Sequence, residues 1–337
     1  MSIFDVNGNQ LIVEGGCSPE NYGAFGDGIH DDTTAIQAAF NESELSNIPV
    51  SFGAGKIYCV SSTLYIKKRQ NVYGNGCTIK ATAAIADIIR INTETQHVTT
   101  SVGKGLIENI TIDCNGVAQN GIYIQHATGF ELQNIDVLRF TNHGIHIASG
   151  FEIFCTNIRL AVGGTSVIPN AIGTVGLYMD TYDSHFTNIV PINCEIGVVD
   201  KKGGNFYYGV HPWNTRADIM PTSIMFDAYG ALSTVNCYND CCAIGIKVHG
   251  SFPVNVFGMK ILGSTNFMPA SVMGSVVPEA FHLTNAAATS RIKAYGIYFS
   301  ANLTYKFSNL AASAWTGFSW LENNDTSITD LQDHPTV

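Results

Sequence analysis

Asp180, Asp227, Asp200 and His211 fall in one stretch of the chain, beside Tyr178, Arg216, Lys247 and the aromatic residues Trp213 and Tyr238. Two carboxyl groups hydrolyse a glycosidic bond when one protonates the leaving oxygen and the other acts as base or nucleophile. They stand about 5 Å apart for retention and about 6.5–9.5 Å apart for inversion. β-Elimination from a uronic-acid polymer asks for a base such as His or Tyr to take the C5 proton and a cation to neutralise the sugar carboxylate. His211, Tyr178, Arg216 and Lys247 are of those types. Each carboxylate has a plainer role open to it in a turn or on a solvated face, and His211 has one as a hydrogen-bonded ladder residue. Aromatic faces bind the C–H surfaces of sugars while neighbouring polar groups take the hydroxyls, so Trp213 and Tyr238 are candidate glycan contacts. The alternative for Trp213 is packing under a loop or against another subunit.

A repeat is what would bring these residues together. From residue 105 onward short apolar-alternating runs recur, many opened by glycine, among them GIYIQHATGFELQNIDVLRF, GIHIASGFEIFCTNIRLAV and GIKVHGSFPVNVFGMKILG. Their starts at 121, 144, 176, 197, 223, 245 and 280 give a base period of about 22 residues with two insertions. Each repeat holds two strand-like pieces of period two, with no helical pattern between them. Each is therefore one coil of a solenoid, and the expected fold is all-β, a right-handed parallel β-helix.

Equivalent residues of successive coils stack at the strand spacing of about 4.8 Å. In the first strand of each coil, Gly-apolar-x-apolar-x, the outward third column reads Tyr123, His146, Tyr178, Val199, Met225, Lys247 and His282. The fifth reads Gln125, Ala148, Asp180, Lys201, Asp227, His249 and Thr284, and a slip of one residue would present Asp200 instead of Lys201. This alignment sets Asp180 and Asp227 in one column two coils apart, roughly 9.6 Å at the backbone. Among the second strands, His211 shares a column with Asp136, Arg159, Val190, Asn236 and Lys260, and Trp213 stands above Tyr238 in the next. The insertions, 163–175 and about 264–279, are expected to leave the solenoid as loops that wall one face. Asp183, Glu195 and Asp218 lie in turns of the same region as alternative members of the carboxylate pair.

Charged residues make up 13% of the chain, against about 25% in an average soluble domain, which suits stacked β-structure with an uncharged polar surface. A net charge of -10, with Lys67, Lys68 and Arg69 as the one basic cluster, argues against nucleic acid as a partner. No run of about eighteen apolar residues occurs, and MSIFDVNGNQ lacks the basic and apolar regions of a signal peptide, so neither a membrane partner nor ordinary export is expected. The nine cysteines are spread without CxxC pairs or zinc spacing. Free buried thiols made in a reducing cytosol are expected, with a redox role for the vicinal Cys241 and Cys242 as the alternative. Calcium needs about six to eight converging oxygens, and no carboxylates cluster in that way. Neither a metal nor a cofactor is implied.

In YGAFGDGIHDDTTAIQAAF, residues 22–40, a glycine-rich bend passes into an apolar run of helical spacing at Asp31 and Asp32. Either aspartate is a good N-cap, and a solenoid needs its exposed end sealed. A capping helix is therefore expected in preference to a catalytic pair. The expected organisation is an N-terminal segment with this helix (1–50), the β-helix (51–300) and a C-terminal tail (301–337).

The same stretch resembles the N-terminal signature of the pectate-lyase-like superfamily, in the branch of bacteriophage tailspikes and capsule depolymerases, and the coils fit it from residue 20 to about 300. HPWNTR (211–216) followed by CYNDCCAIGIKVHG (237–250) is similar to a passage common in such proteins. The resemblance implies a trimer of parallel β-helices that binds and often cleaves bacterial surface polysaccharide, carried on a virion tail, or secreted or at the cell surface if bacterial. Endo-acting hydrolysis of a capsular or exopolysaccharide is expected, because dense carboxylates on the face would repel a polyuronate. A lyase on the same fold and a non-catalytic glycan-binding spike are the alternatives. About twenty residues precede the signature and about forty follow the last clear coil. Neither a long particle-binding domain nor a separate trimerisation or lectin module is expected, as in a short homologue or an excised fragment.

Overall fold

In the computed structural model of the protein, the residues described are 3–4, 10–11, 16–67, 70–92, 105–250, 252–262, 279–284, 292–299 and 306–308. The chain divides into two units, Met1–Ile158 and Arg159–Val337.

The first unit begins its solenoid with a cap. TTAIQAAFNESELS forms the helix Thr33–Ser46, which buries Ala35, Ile36, Ala39 and Phe40 on one face, as their spacing requires. The two aspartates before it divide the work. Asp32 occupies the N-cap position, but its buried carboxylate turns back to accept the N–H groups of Phe25 at 2.7 Å and Gly26 at 3.2 Å, fastening the glycine-rich bend to the helix start. Asp31 supplies the cap, accepting the Thr33 N–H at 3.0 Å, and it also takes the hydroxyl of Ser61. Burial works against the Asp31 charge, yet the bonds from Ser61 and Thr33 outweigh it and hold its carboxyl below the usual range.

After the helix, strands of this unit alternate between two sheets. The first sheet runs Leu64–Ile66, Asp87–Asn92, Asn120–Gln125 and His143–Ile147. The second includes Ile57–Val60, Asn71–Ala81, Gly105–Asp113 and Phe130–Leu138. The second unit repeats the scheme. Its first sheet holds Val175–Met179, Ile196–Asp200, Ile224–Ala228, Ile244–Val248, Glu279–Leu283 and Lys306–Ser308. Its second holds His185–Ile192, Asn205–Tyr208, Leu232–Asp240, Val254–Leu262 and Ile292–Phe299. Each strand pairs in parallel with the equivalent strand of the next coil. Strand-to-parallel-strand crossovers are right-handed, and the fold is a right-handed parallel β-helix.

Alternation puts every second side chain inside. Ile89, Ile122 and Ile145 stand in register, as do Ile91, Ile124 and Ile147, all fully buried; β-branched residues suit such a pleated, packed surface. In the second unit Phe186 stacks on Tyr207 at 5.1 Å between ring centres. All nine cysteines are free and buried.

From Gly105–Asp113 onward the strands of the second sheet bend at, or end on, a left-handed residue. These are Asn109, Asn134 and Asn157 in the first unit and Asn188, Gly209, Asn236, Gly258 and Gly296 in the second. Asparagine and glycine tolerate positive φ better than other residues, and the corner recurs in the sequence as Asn or Gly followed by an apolar residue. The Asn157 side-chain amide donates to Asn134 Oδ1 at 3.1 Å, so the corners form a ladder.

Among the described residues no helix is long and apolar enough to cross a membrane. Lys68 and Arg69 of the basic cluster, the insertion at 264–278, and residues 301–305 and 309–337 of the C-terminal tail lie outside the described residues.

Candidate active site

On the first sheet of the second unit, glycine or a small residue opens most coils because the backbones close up there; a Cβ on Gly176 would meet the Gly197 carbonyl oxygen at 2.7 Å. The register sets two outward columns. The third positions read Tyr178, Val199, Asp227, Lys247 and His282. One strand position beyond the paired residues, the fifth positions read Asp180, Lys201, Tyr229, His249 and Thr284.

The fifth column is a stack. Lys201 Nζ lies 3.2 Å over the Tyr229 ring centre, and the Tyr229 ring lies flat on His249, 4.0 Å between centres and 4° between planes. His249 Nε2 sits 2.6 Å from Asp227 Oδ1 in the neighbouring column. When Nε2 carries the proton toward this carboxylate, Nδ1 holds a free lone pair, which is the arrangement of an oriented general base. The Asp227 side chain is only 8% exposed, so it holds the imidazole and presents little of itself to solvent.

Three groups around this pair are shifted. Burial, then the charges of Asp180 and Asp227, raise the Tyr178 phenol. Burial and the Asp227 carboxylate do the same to Tyr229. Both phenols therefore keep their protons at neutral pH. Burial lowers the Lys201 ammonium, and Asp227 and Asp180 work against that. Asp180 is 42% exposed, with Lys202 Nζ at 3.6 Å.

Of the expected site residues, Tyr178, Asp180, Asp227 and Lys247 are thus together on one sheet, but four placements differ from expectation. Asp227 belongs to the third column, not to the fifth with Asp180, because the coil at 224–228 is offset by two residues and Met225 takes the place of the opening glycine. Asp200 turns inward and is 1% exposed. Its carboxylate accepts the Gly203 N–H at 2.7 Å, the Tyr207 hydroxyl at 2.9 Å and the Asn205 amide. Burial raises its pKa against those bonds. Arg216 is also interior, 4% exposed. It pairs with Asp218 and donates from Nη1 to the carbonyls of Gly163 at 3.2 Å and Ile168 at 2.8 Å, pinning the 163–175 insertion instead of facing a substrate.

His211, Trp213 and Tyr238 lie on the outward side of the second sheet. Trp213 is in register with Ile192 and Asp240, not with Tyr238. His211 is what stacks on Tyr238, at 4.3 Å and 18°. Asp183 adopts a left-handed turn conformation, and Glu195 accepts the Gly173 N–H at 2.6 Å and the Thr222 hydroxyl. Among the described residues no three His, Cys, Asp or Glu side chains group as a metal site.

A parallel β-helix whose N-terminal bend and coils follow this order has relatives. The family model for rhamnogalacturonase A/epimerase, pectate lyase-like, matches residues 18–217. The chain belongs to this pectate-lyase-like family. It is 29% identical over 173 residues to the capsule K30/K69-specific depolymerase 1 of Klebsiella phage K5-2, covering 48% of this chain and 19% of that protein. It is 26% identical over 204 residues to the capsule KN3-specific depolymerase 1 of Klebsiella phage KN3-1, covering 51% of this chain and 24% of that one. The chain thus spans a quarter or less of the curated relatives it matches. The tailspike protein of E. coli bacteriophage HK620, in a double-mutant form, superposes with a TM-score of 0.64 at 11% identity, over 95% of this chain and 64% of its own.

In this pectate-lyase-like chain Asp227, Tyr229 and His249 lie beyond the stretch that the family model matches. Lys201 and His249 are visible in the sequence columns, but Tyr229 is not, since a run SIMFDA with no glycine leaves its offset open. For the second sheet a signal does exist: counting from the Asn or Gly corner aligns Asn236 with Gly209 and Gly258, and so Tyr238 with His211 and Lys260.

Proposed function

We propose that the chain is a polysaccharide depolymerase of the tailspike type, acting on a bacterial capsular or exopolysaccharide at the outward face of the first sheet. It works as a homotrimer at a phage tail. Family membership and the capsule depolymerases among its relatives support the substrate class.

The observation that carries the chemistry is His249 held by Asp227 at 2.6 Å and stacked on Tyr229, with Lys201 on the far side of that ring. This geometry favours β-elimination over the hydrolysis that the carboxylate count suggested. Asp200 is inside and Asp227 is engaged with His249, so in the two outward columns of the described residues Lys201 and Lys247, with Lys202 beside them, face one open carboxylate, Asp180. A polyuronate is attracted to such a surface. His249 Nδ1 takes the C5 proton, a lysine ammonium neutralises the uronate carboxylate, and the C4–O bond breaks as the C4=C5 bond forms. The Tyr229 phenol, protonated and stacked on His249, is the nearest acid to give its proton to the leaving oxygen.

Digestion of a panel of capsular and exopolysaccharides, followed by mass spectrometry, tests this. Unsaturated uronates with their ultraviolet absorbance are expected, and His249→Ala should lower turnover by at least about two orders of magnitude. Hydrolysis is the second possibility, favoured by the exposure of Asp180 on the same face. Ordinary reducing ends, with loss of turnover in Asp180→Asn and Asp227→Asn, would establish it instead. Intact polymer throughout would leave a glycan-binding spike.

A further inference from the structure

The second sheet of the same unit carries polar and aromatic groups that the proposed chemistry does not use. Beyond the left-handed corner, one outward column runs Ile192, Trp213 and Asp240, in parallel register. The Trp213 side chain stands 42% exposed. The neighbouring column runs His211, Tyr238 and Lys260; the first two rings stack, and Lys260 Nζ lies 5.0 Å from the Tyr238 ring centre. Asp240 Oδ2 is 3.7 Å from His211 Nε2, an ion-pair distance too long for a direct hydrogen bond. Burial works to raise the Asp240 carboxyl, but His211, the Cys241 thiol and Lys260 outweigh it, so Asp240 is ionised at neutral pH.

We infer that this patch is a second carbohydrate site, separate from the cleavage face, which holds a neutral pyranose unit of the polysaccharide. Its ligand class rests on the proposed function. Trp213 offers an open ring for the C–H face of a sugar, and Ile192 extends that apolar floor. Asp240 stands one coil away, about 4.8 Å along the sheet, where a carboxylate accepts hydroxyl hydrogens at the edge of a ring lying on Trp213. Lys260 adds a donor on the flank. A charged uronate fits less well, because Asp240 would lie against its carboxylate. A second copy of the chain fits less well too, since it would have to desolvate Asp240 and Lys260. The uncharged exposed rings Phe206, Tyr208 and Phe257 lie before the corner, in the other half of the sheet.

Affinity electrophoresis of the full chain tests the site, in gels carrying purified Klebsiella capsular polysaccharide of the K30, K69 or KN3 type. His249→Ala serves as the background, so that the polymer stays intact. This variant should be retarded by at least one of the three polymers. Adding Trp213→Ala should weaken that retardation by about tenfold or more, the scale of losing an aromatic anchor, while Trp213→Phe retains most of it. Circular dichroism of each variant separates lost binding from lost folding. Three results would overturn the inference: equal retardation with and without the Trp213 ring, no retardation of the background by any of the three polymers, or dissociation of an oligomer by Trp213→Ala. If His249→Ala abolishes retardation that the wild type shows, the glycan is held on the first sheet alone. The inference then fails while the depolymerase proposal stands.

Discussion

His143, beside the outward His146, shows how burial tunes a histidine. Its backbone N–H donates to Asn120 Oδ1 at 3.1 Å, and its ring stands edge-on to His146 at 4.8 Å. Burial, and then the charge of His146, push its pKa down to about 4. A free histidine titrates near 6.5, so the unfolded chain takes up this proton more readily than the folded one. The neutral ring therefore supports folding fully above about pH 6.5, and that support is lost as the pH falls toward about 4. Thermal melts across this range should show the wild type losing more stability than His143→Gln. Parallel curves for the two proteins would contradict the assignment.

At the scale of the element, the left-handed corner decides where each strand of the second sheet turns. Gly209 sits there at φ +66°, between Asn188 one coil before and Asn236 one coil after. A Cβ at Gly209 would lie 2.9 Å from Asn188 Oδ1, a side-chain atom that can move. Gly209→Asn should therefore be tolerated, since its neighbours in the ladder are asparagines. Gly209→Val places a β-branched residue in the left-handed region and should cost about 1–3 kcal/mol. Denaturation of the two variants side by side measures the difference, and equal losses would remove the corner as its cause. The helix cap belongs to this scale as well: Asp32, capping by position, spends its carboxylate on the glycine-rich bend, and Asp31 does the capping. Sequence pattern places a helix start at this pair but does not say which carboxylate faces which amide.

For the whole molecule, the proposed homotrimer has a surface suited to it in the second unit. Phe206, Tyr208 and Phe257 are exposed on the second sheet, and Phe257 stacks on Tyr295 at 5.3 Å. Uncharged aromatic surface is buried at lower cost than charged surface. Sedimentation at micromolar concentration should give a species of about three times 36.3 kDa, and Phe206→Ser with Phe257→Ser should shift it toward monomer. A wild-type monomer under those conditions would end the proposal.

The coil repeat, the in–out alternation and the capping helix were all legible in the amino-acid sequence, because each is a local rule. Period two decides which face a side chain takes, Asn or Gly marks the corner, and an Asp before an apolar helical run marks the cap. That is enough to put Tyr178, Asp180, Lys201 and His249 outside and to stack His211 against some neighbour. Register between coils is not a local property. Residues in contact across the first sheet, such as Asp227 and His249, are about one period apart in the chain, and turn lengths set their offset. An offset of two residues keeps parity, so Asp227 stays outward, yet it moves from the column of Asp180 to the side of His249. With no slip in its coil Asp200 takes the inward side opposite Lys201, and there Asn205, Tyr207 and the Gly203 N–H converge on its carboxylate, partners that no pattern states. Only the tertiary structure joins His249 to Asp227 here, because only packing of one coil on the next fixes which outward residues touch.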